Sequence, residues 1–537
     1  MSQADTKTQQ RDSKTSRSSL ADEKEPSGAA VMTLEVETRA DVHDDGVVHL
    51  ERRFSFMACL GMAFMMLNSW TVPLTPAPSL NLVLSSGGSV SVVYGCMVSA
   101  VGALATGLSL AELCHVYPVT GGQYDWIYIL APQRFKVGLS FVVGWLASAG
   151  WCTLLGICAA YCASMIPGFV GLWNPDVEMT KWQIFLLYVL FALLGFSLNT
   201  FAVRLLPMVE KTAFYWGVVG IITVSITVLA TAAPNFQPPK AVFATFTNET
   251  GWPSGVAFLL GMMQSTLGLA GYDAVTHMME EMPAPSKNAP KVIMLAISMG
   301  AVTAWLFLVI LLLCLQNLEE VMTSPMGPLV TIYLQATNNR VAATCLLLFN
   351  FIAVVFMTQG VVTVASRMCW TFSRDRGLGH VSPFLAPVHP KLLVPVGSLI
   401  FVLCVSVVIG CIYLGSDVAF NAIAASGLTL VQLSYLIPIA MTFIRGEAAF
   451  DGQPRTWSLG RYRRVVNGVS IAFLVVTCTF FSLPPALPVT GPGMNYAVVV
   501  LATVAILSTI VWFADGRKRY FGPTELEARL SEGRRTW

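Results

Sequence analysis

The stretch Ser254–Met282 constrains the fold of this chain more than any other segment, because it combines the length of a membrane span with a polar centre. It is long and apolar enough to cross a bilayer, but residues 264–271 read QSTLGLAG, and Asp273 and His277 follow directly. Irregular backbone at membrane depth is tolerated only where it is buried in protein or lines a cavity. An ionisable side chain there marks a functional site by default. The segment therefore predicts a broken transmembrane helix built around a binding site.

The composition of the chain is that of a polytopic membrane protein. Of its 537 residues, 55% are hydrophobic and only 12% are charged, whereas a soluble domain carries about 25% charged residues. The net charge of +2 gives no indication of a nucleic-acid partner. The twelve cysteines lie mostly within apolar segments and form no Cys-x-x-Cys pair. We interpret them as packing residues and expect no disulfide scaffold, no metal site and no cofactor.

Hydropathy predicts an all-α protein with twelve transmembrane helices embedded in a lipid bilayer. The predicted spans are at about residues 54–83, 89–113, 136–166, 182–202, 208–232, 253–279, 292–316, 341–370, 394–414, 419–444, 468–488 and 495–514. Residues 54–515 then form one twelve-helix domain between two polar tails, residues 1–53 and 516–537. The N-terminal tail is too polar to fold alone, so we expect it to be disordered.

The distribution of Lys and Arg orients the predicted spans. One set of loops carries fifteen of these residues and the opposite set carries three. Because cytoplasmic loops are enriched in Lys and Arg, both termini are predicted to be cytoplasmic. The sequon Asn248-Glu249-Thr250 falls in a predicted external loop, which makes Asn248 a candidate glycosylation site.

The first span is also interrupted, because residues 66–73 read MLNSWTVP. Asn and Ser are weak helix formers and the proline lacks a backbone donor. Interrupted segments at matching positions, in spans one and six, point to a carrier built from inverted repeats, here at about residues 54–232 and 253–444. The exposed N–H groups of half-helices suit a substrate carboxylate. The alternative is that the glycines only allow close helix packing.

Three sequence segments carry a family resemblance. Residues 111–132 contain AELC and YPVTGGQYDW, residues 271–281 contain GYDA and a Glu-Glu pair, and residues 365–390 contain ASRM, FSRDRGL and VHP. With them the chain resembles the amino-acid/polyamine/organocation superfamily from about Phe54 to Asp515. Within that superfamily it is similar to the fungal amino-acid/choline transporter family, which includes GABA and choline permeases.

The resemblance implies a fold and a mode of action. It implies a five-plus-five inverted repeat with broken helices 1 and 6, plus two extra helices at about residues 468–514. It places the substrate between spans one, three, six, eight and ten, and implies proton-coupled uptake. The chain departs from many members at residues 68–71, which read NSWT where a small, glycine-rich break is common. The identity of the substrate therefore does not carry over.

Residues around the two interruptions are the candidates for substrate binding. The predicted contacts are Ser69, Trp70, Thr71, Ser265, Thr266, Gly268 and Tyr272. Aromatic faces at Trp70 and Tyr272 favour an ammonium group through cation–π attraction. Trp145 and Trp151 in the third span are further candidates for pocket lining. The alternative for each aromatic residue is packing or anchoring at the membrane interface.

Three ionisable residues are candidates for gating or proton coupling. Asp273 is predicted to bind a substrate amine, exchange a proton or hold a gate shut, with a structural acceptor for freed N–H groups as the alternative. His277 lies at i+4 on the same helix face, which predicts a polar gate pair with Asp273, with a water-exposed histidine at the cytoplasmic end as the alternative. Glu112 is predicted to form a buried ion pair with Arg367 or Arg374, unless it is an interfacial carboxylate at a helix end.

These patterns predict a secondary active transporter of a small amino-acid-like or quaternary-ammonium solute, such as an amino acid, GABA or choline. We expect import with protons by alternating access, at the plasma membrane rather than the vacuolar membrane. One alternative is an importer or exporter of a specialised nitrogenous metabolite such as an alkaloid; another is a non-transporting nutrient sensor. An enzyme is not indicated, because the chain has no Walker-type loop and no His-Glu-x-x-His pair.

Overall fold

The computed structural model describes residues 53–71, 83–324, 326–491 and 493–534, and these residues are predominantly helical. The longer helices are α1 (Phe56–Leu67), α2 (Gly88–Val116), α3 (Gln123–Leu130), α4 (Lys136–Trp173), α5 (Lys181–Phe201), α6 (Leu206–Ala232), α7 (Ser254–Leu267), α8 (Pro285–Cys314), α9 (Pro328–Thr337), α10 (Arg340–Arg374), α11 (Val396–Gly415), α12 (Asp417–Arg445), α13 (Arg463–Phe480), α14 (Ala497–Val511) and α15 (Leu526–Gly533). A 3₁₀ helix, Tyr272–Glu281, follows α7. Residues 1–53 are predicted to be disordered. All of them except Arg53 lie outside the described residues.

The helices have the length and composition of a multi-pass membrane protein. Among the described residues, eleven helices are long and apolar enough to cross a membrane. The first predicted span begins as α1, an apolar helix of 12 residues, and its continuation through residues 72–82 lies outside the described residues. The predicted all-helical, multi-pass architecture is confirmed. Helix α8 begins at Pro285 rather than at the predicted residue 292, because proline is favourable in the first turn of a helix.

A helix ends at each of the two predicted interruptions. Helix α1 ends at Leu67, and Asn68 closes it in the left-handed conformation with φ 38°. Helix α7 ends at Leu267, and Gly271 adopts φ 87° before the chain resumes as the 3₁₀ helix. That backbone conformation favours glycine, which has no Cβ to clash with the following carbonyl. The second interruption therefore separates two helical segments within one candidate span.

The broken segments lie in the interior of the helix bundle. Helix α1 packs against α6, α8 and α10, and the 3₁₀ helix packs against α1, α8 and α10. Small residues permit the closest approaches: a Cβ built on Gly61 of α1 would lie 2.2 Å from the carbonyl oxygen of Glu210 on α6. Around this centre, α4 packs against α10 and α12.

One end of the bundle is rich in arginine, and we call it the basic end because it carries Arg374, Arg463 and Arg529. The C-terminal segment, residues 520–534, packs on this end. Its anchors are a 2.6 Å hydrogen bond between the hydroxyl groups of Tyr520 and Ser140, and a 3.1 Å hydrogen bond from Arg534 to the carbonyl of Val116. The predicted C-terminal tail is therefore folded against the helices at least as far as Arg534.

Candidate functional site

A cavity of about 630 Å³ opens into the bundle from the end opposite the basic end. Its walls come from α4, α5, α7, α11, α12 and α13 and from the connection between α13 and α14. It reaches from Asn495 in that connection down to Ile157 and Leu267. The lining is mostly apolar, and its polar side chains include Gln264 and Asn421.

A smaller cavity of about 40 Å³ lies where the two helix breaks meet. It is lined by Met66, Leu67, Trp151, Leu154, Ile157, Cys158, Tyr161, Leu267, Ala270, Gly271, Met357 and Val361. Three of these residues, Ile157, Tyr161 and Leu267, also line the larger cavity. The two cavities therefore adjoin and share part of their walls.

The small cavity offers aromatic faces and freed backbone groups. Trp151 and Tyr161 supply the aromatic rings, and a Cβ built on Gly271 would lie 3.7 Å from the Trp151 ring. The amides of Ala270 and Gly271 donate to no acceptor within the described part of the chain. None of the lining residues carries a formal charge. Such a site is suited to a small solute that has a cationic group, an acceptor group or both.

The predicted contacts in the first break lie beside the small cavity and turn toward other helices. Ser69 donates to the carbonyl of Gly300 on α8 at 2.9 Å. The ring of Trp70 packs edge-on against Phe307, also on α8, with a centroid separation of 5.5 Å. Thr71 accepts a hydrogen bond from Asn350 on α10 at 3.1 Å. These side chains position the break, and the cavity wall itself comes from the preceding residues of α1.

The predicted contacts in the second break are arranged in the same way. The Thr266 and Ser99 hydroxyl groups lie 2.8 Å apart, which ties α7 to α2. Ser265 lies beside Cys96 on α2, and Gly268 caps α7. The ring of Tyr272 lies 5.6 Å from that of Tyr435 on α12. None of Ser265, Thr266, Gly268 and Tyr272 lines either of the two cavities.

The two tryptophans that the sequence offered as pocket lining, Trp145 and Trp151, lie in different parts of the structure. Trp151 lines the small cavity, whereas Trp145 donates to the carbonyl of Gly377 at 3.1 Å, near the basic end. Tyr161 and Met66 had no distinguishing sequence pattern. Their place in the site follows only from the way α1 and α4 cross.

Asp273 is fully buried on the side of the small cavity that faces the basic end. Its Oδ2 accepts from Gln123 at 2.7 Å and from Trp151 at 3.3 Å, and lies 3.3 Å from His277 Nε2. Its Oδ1 accepts from the Tyr435 hydroxyl. The predicted pairing of Asp273 with His277 is present, and four side chains from α3, α4, α12 and the 3₁₀ helix meet at this carboxylate.

Ion pairs close the basic end beneath Asp273. Four of these pairs are Arg367–Glu281 at 2.9 Å, Arg374–Glu280 at 2.7 Å, Arg463–Glu112 at 2.7 Å and Arg529–Asp375 at 2.6 Å. Together they join α2, the 3₁₀ helix, α10, α13 and α15. Removing one partner of a buried pair is costly, so the three buried pairs oppose the opening of this end more strongly than the partly exposed Arg374–Glu280 pair.

The predicted partner of Glu112 is wrong. Glu112 pairs with Arg463, which donates from Nε and Nη2 at 2.8 and 2.7 Å, whereas Arg367 and Arg374 pair with Glu281 and Glu280. The reason is that the connection between α12 and α13 folds over the end of α2. It brings Arg463, the first residue of α13, to the Glu112 carboxylate.

The C-terminal segment contributes a cluster that the sequence did not indicate. Arg529 contacts Asp375 at 2.6 and 3.1 Å and lies 3.9 Å from Asp125, while the Tyr124 hydroxyl donates to Asp375 at 2.7 Å. Burial raises the pKa of Asp125 to about 7, and nearby Arg529 opposes that shift in pKa. Burial also raises the pKa of Tyr124 well above its usual value. The cluster seals the space between α3 and α10.

Known permeases and transporters are similar to this chain over most of its length. A family model described as amino acid permease matches residues 54–505. A choline transporter of Saccharomyces cerevisiae is 32% identical over 503 residues, which cover 93% of this chain and 87% of that protein. A swainsonine transporter of Arthroderma benhamiae is 29% identical, covering 93% of this chain and 98% of that protein. A 7-keto 8-aminopelargonic acid transporter of S. cerevisiae is 27% identical, covering 89% and 94%.

Proposed function

The chain belongs to the amino acid permease family, and from this premise we propose that it is a secondary active transporter of a small nitrogenous solute. The observation that carries the proposal is the pair of adjoining cavities, of which the large one opens at the surface and the small one lies at both helix breaks. A solute that reaches the breaks meets freed backbone groups, while ion pairs close the basic end. Rocking one helix bundle against another would expose the same site to the other side.

The proposed architecture is a five-plus-five inverted repeat with two extra helices. The twelve spans would comprise the eleven candidate spans and the segment that begins with α1. The repeats would run from about residue 54 to 232 and from about 253 to 444, with α13 and α14 as the extra helices. In support of this, α1 and α7 each end in a break, and each would be the first helix of five.

The proposed solute carries an ammonium group and a hydrogen-bond acceptor. The faces of Trp151 and Tyr161 suit the cation, and the amides of Ala270 and Gly271 suit a carboxylate or hydroxyl oxygen. Amino acids, GABA and choline share this chemistry. The relative described as a swainsonine transporter supports a specialised nitrogenous metabolite as the second candidate.

We assign gating to Asp273, His277 and Glu112. The first two join three helices and the 3₁₀ helix beneath the site, and Glu112 with Arg463 holds α2 to α13. The cavity and the ion pairs lie at opposite ends, so the structure corresponds to a state that admits solute from the end away from the arginines. The excess of Lys and Arg favours a cytoplasmic basic end with both termini there, in the plasma membrane.

Asn248 remains a proposed glycosylation site at the opposite end. Its residue is exposed, and its side-chain amide donates to the carbonyl of Trp252 at 2.7 Å. Its Oδ1 accepts from Thr250, the third residue of the sequon, at 2.8 Å. A glycan on Asn248 would replace one of the two hydrogens of this amide and leave the other as a donor.

Transport in proteoliposomes tests the proposal. Purified protein is reconstituted and supplied with labelled choline, GABA and a panel of amino acids, with and without an inside-alkaline pH gradient. We expect saturable uptake of at least one solute and faster counterflow from preloaded vesicles. Ala425→Trp, which would fill the large cavity, should block uptake, whereas Ala502→Trp on the exposed face of α14 should not. The absence of both uptake and counterflow for every solute of the panel would contradict transport. Binding without uptake would favour a sensor.

A further inference from the structure

Glu210 on α6 is a buried carboxyl group that lines neither cavity and belongs to none of the four ion pairs at the basic end. Only 1% of the residue is exposed, and its Oε1 has no hydrogen-bond partner within the described residues. The neighbouring Lys211 is exposed. The Oε1 atom lies 3.8 Å from a Cβ built on Gly360 of α10, so the carboxyl group points into the interface between α6 and α10.

The amide of Gln359 on α10 is the hydrogen-bonding neighbour of this carboxyl group. Its Nε2 donates to the Thr363 hydroxyl at 3.2 Å, while its Oε1 is buried without a partner in the described structure. Glu210 Oε1 and Gln359 Oε1 are thus two buried acceptors on neighbouring side chains, each without a partner in the described structure, which is unfavourable in a dry interior. A proton on Glu210 supplies the missing donor, and a carboxylic O–H turned toward Gln359 would also satisfy Gln359 Oε1.

The ionisable groups around Glu210 do not replace that proton. Cys59 of α1 lies near both Glu210 and Glu281, and Glu281 on the 3₁₀ helix is engaged by Arg367 of α10. On α9, Tyr333 donates to Asn350. The lysines at the start of α8, Lys287 and Lys291, are exposed.

A chain of hydrogen bonds connects Gln359 to the basic end. The Thr363 hydroxyl donates to Asn199 Oδ1 on α5 at 2.7 Å, and Arg367 Nη1 lies 3.5 Å from the same oxygen. Arg367 Nε donates to Glu281 at 2.9 Å. This series of hydrogen bonds therefore ends on the 3₁₀ helix that follows the second break.

Loss of the proton from Glu210 would change each hydrogen bond in this series. An ionised Glu210 requires a donor, which Gln359 supplies by rotating its amide so that Nε2 faces the carboxylate. Its Oε1 then faces Thr363, whose single hydroxyl proton turns to it and leaves Asn199. Asn199 Oδ1 would keep only its long contact with Arg367. The strength of the Arg367–Glu281 ion pair would therefore change.

We propose that Glu210 is the binding site for the transported proton, and that Gln359, Thr363 and Asn199 relay its occupancy to the Arg367–Glu281 pair. The inference rests on the proposed transport function. The chemistry is one O–H bond, formed with a proton from one side of the membrane and broken by release to the other. Asp273 is less suited to this role, because donors already surround both of its oxygens.

Infrared difference spectroscopy tests proton binding without any solute. The protein in lipid is titrated with pH, and the wild type should show a carboxylic-acid C=O band that disappears as Glu210 ionises. Glu210→Gln should remove that band, and Glu210→Asp should shift it. Glu319→Gln, at an exposed position in the helix Leu318–Thr323, is the matched control and should leave it unchanged. The proposal would be overturned if the same infrared bands changed with pH in wild type and in Glu210→Gln.

Transport then tests coupling. One pH unit across the membrane can drive about tenfold accumulation per proton. We expect Glu210→Gln to lose that accumulation while keeping counterflow of the same solute, and Gln359→Leu to weaken it. Undiminished pH-driven accumulation in Glu210→Gln would refute the assignment while leaving the transport function intact. If no solute of the panel is transported by the wild type, the proposed function fails, and the infrared band still decides proton binding. If Glu210→Gln does not fold, the band shift in Glu210→Asp decides.

Discussion

At the scale of single residues, Asp273 holds together more of the closed side of the site than any other carboxylate described above. Its donors come from α3, α4, α12 and the 3₁₀ helix, so the carboxylate links elements that must separate if the basic end opens. Hydrogen bonds to a charged acceptor are stronger than neutral ones. A change at Asp273 is therefore expected to affect both the stability of the closed state and its opening.

Asp273→Asn tests this role. The amide keeps the shape of the side chain but turns an –NH₂ group toward donors that need an acceptor. We expect a lower thermal unfolding temperature, equivalent to about 3 kcal/mol, and a loss of solute uptake in proteoliposomes. Asp176→Asn, in the exposed turn after α4, is the control and should change neither quantity. Full uptake with an unchanged unfolding temperature would show that the closed side does not depend on these hydrogen bonds.

Trp151 permits a separate test at the aromatic wall of the small cavity. Trp151→Leu removes the ring, whereas Trp151→Phe keeps a ring but loses the N–H bond to Asp273. For an ammonium solute we expect KM to rise about tenfold in the leucine variant and much less in the phenylalanine variant. Trp182→Leu, at a residue 57% exposed on α5, serves as the control. Equal KM values for the Leu and Phe variants would rule out a contribution of the ring to cation binding.

At the scale of elements, the C-terminal segment acts as part of the closed end. Helix α15 brings Arg529 between the carboxylates of Asp375 and Asp125. Both oxygens of Asp125 are buried without a hydrogen-bond partner in the described structure. The ionised form of Asp125 is therefore unfavourable in the folded state, and stability should depend on pH.

The pH dependence has a definite sign. The folded-state pKa of Asp125 is raised from 3.8 to about 7, so its proton contributes stability that is complete below about pH 4 and is lost as the pH rises through about 7. The unfolding temperature of the purified protein should therefore fall across this window. Asp125→Asn should flatten that part of the profile, whereas Asp176→Asn should not. Parallel profiles for wild type and Asp125→Asn would contradict the assignment.

At the scale of the whole molecule, the sequence predicted what depends on local pattern. Hydropathy placed α5 at residues 182–202, and the structure has Lys181–Phe201. The polar, glycine-rich residues 264–271 located the second break. The sequence did not predict that Glu112 pairs with Arg463, that Arg529 reaches Asp375, or that Tyr161 lines the site. These contacts join residues far apart in the chain, and several cations were equally available to each carboxylate.

In the proposed alternating-access mechanism, contacts at the basic end set the balance between two open states. Arg374 and Glu280 form a partly exposed ion pair at 2.7 Å between α10 and the 3₁₀ helix. Such a pair is worth about 1 kcal/mol, so Arg374→Glu or Glu280→Arg alone should shift the equilibrium about fivefold toward opening of the basic end. A cysteine introduced at Asn421, in the large cavity, should then react more slowly with a membrane-impermeant maleimide. The charge-swapped double variant should recover the wild-type rate, because it restores the pair. The same labelling rate in all four proteins would show that this pair does not control which end is open.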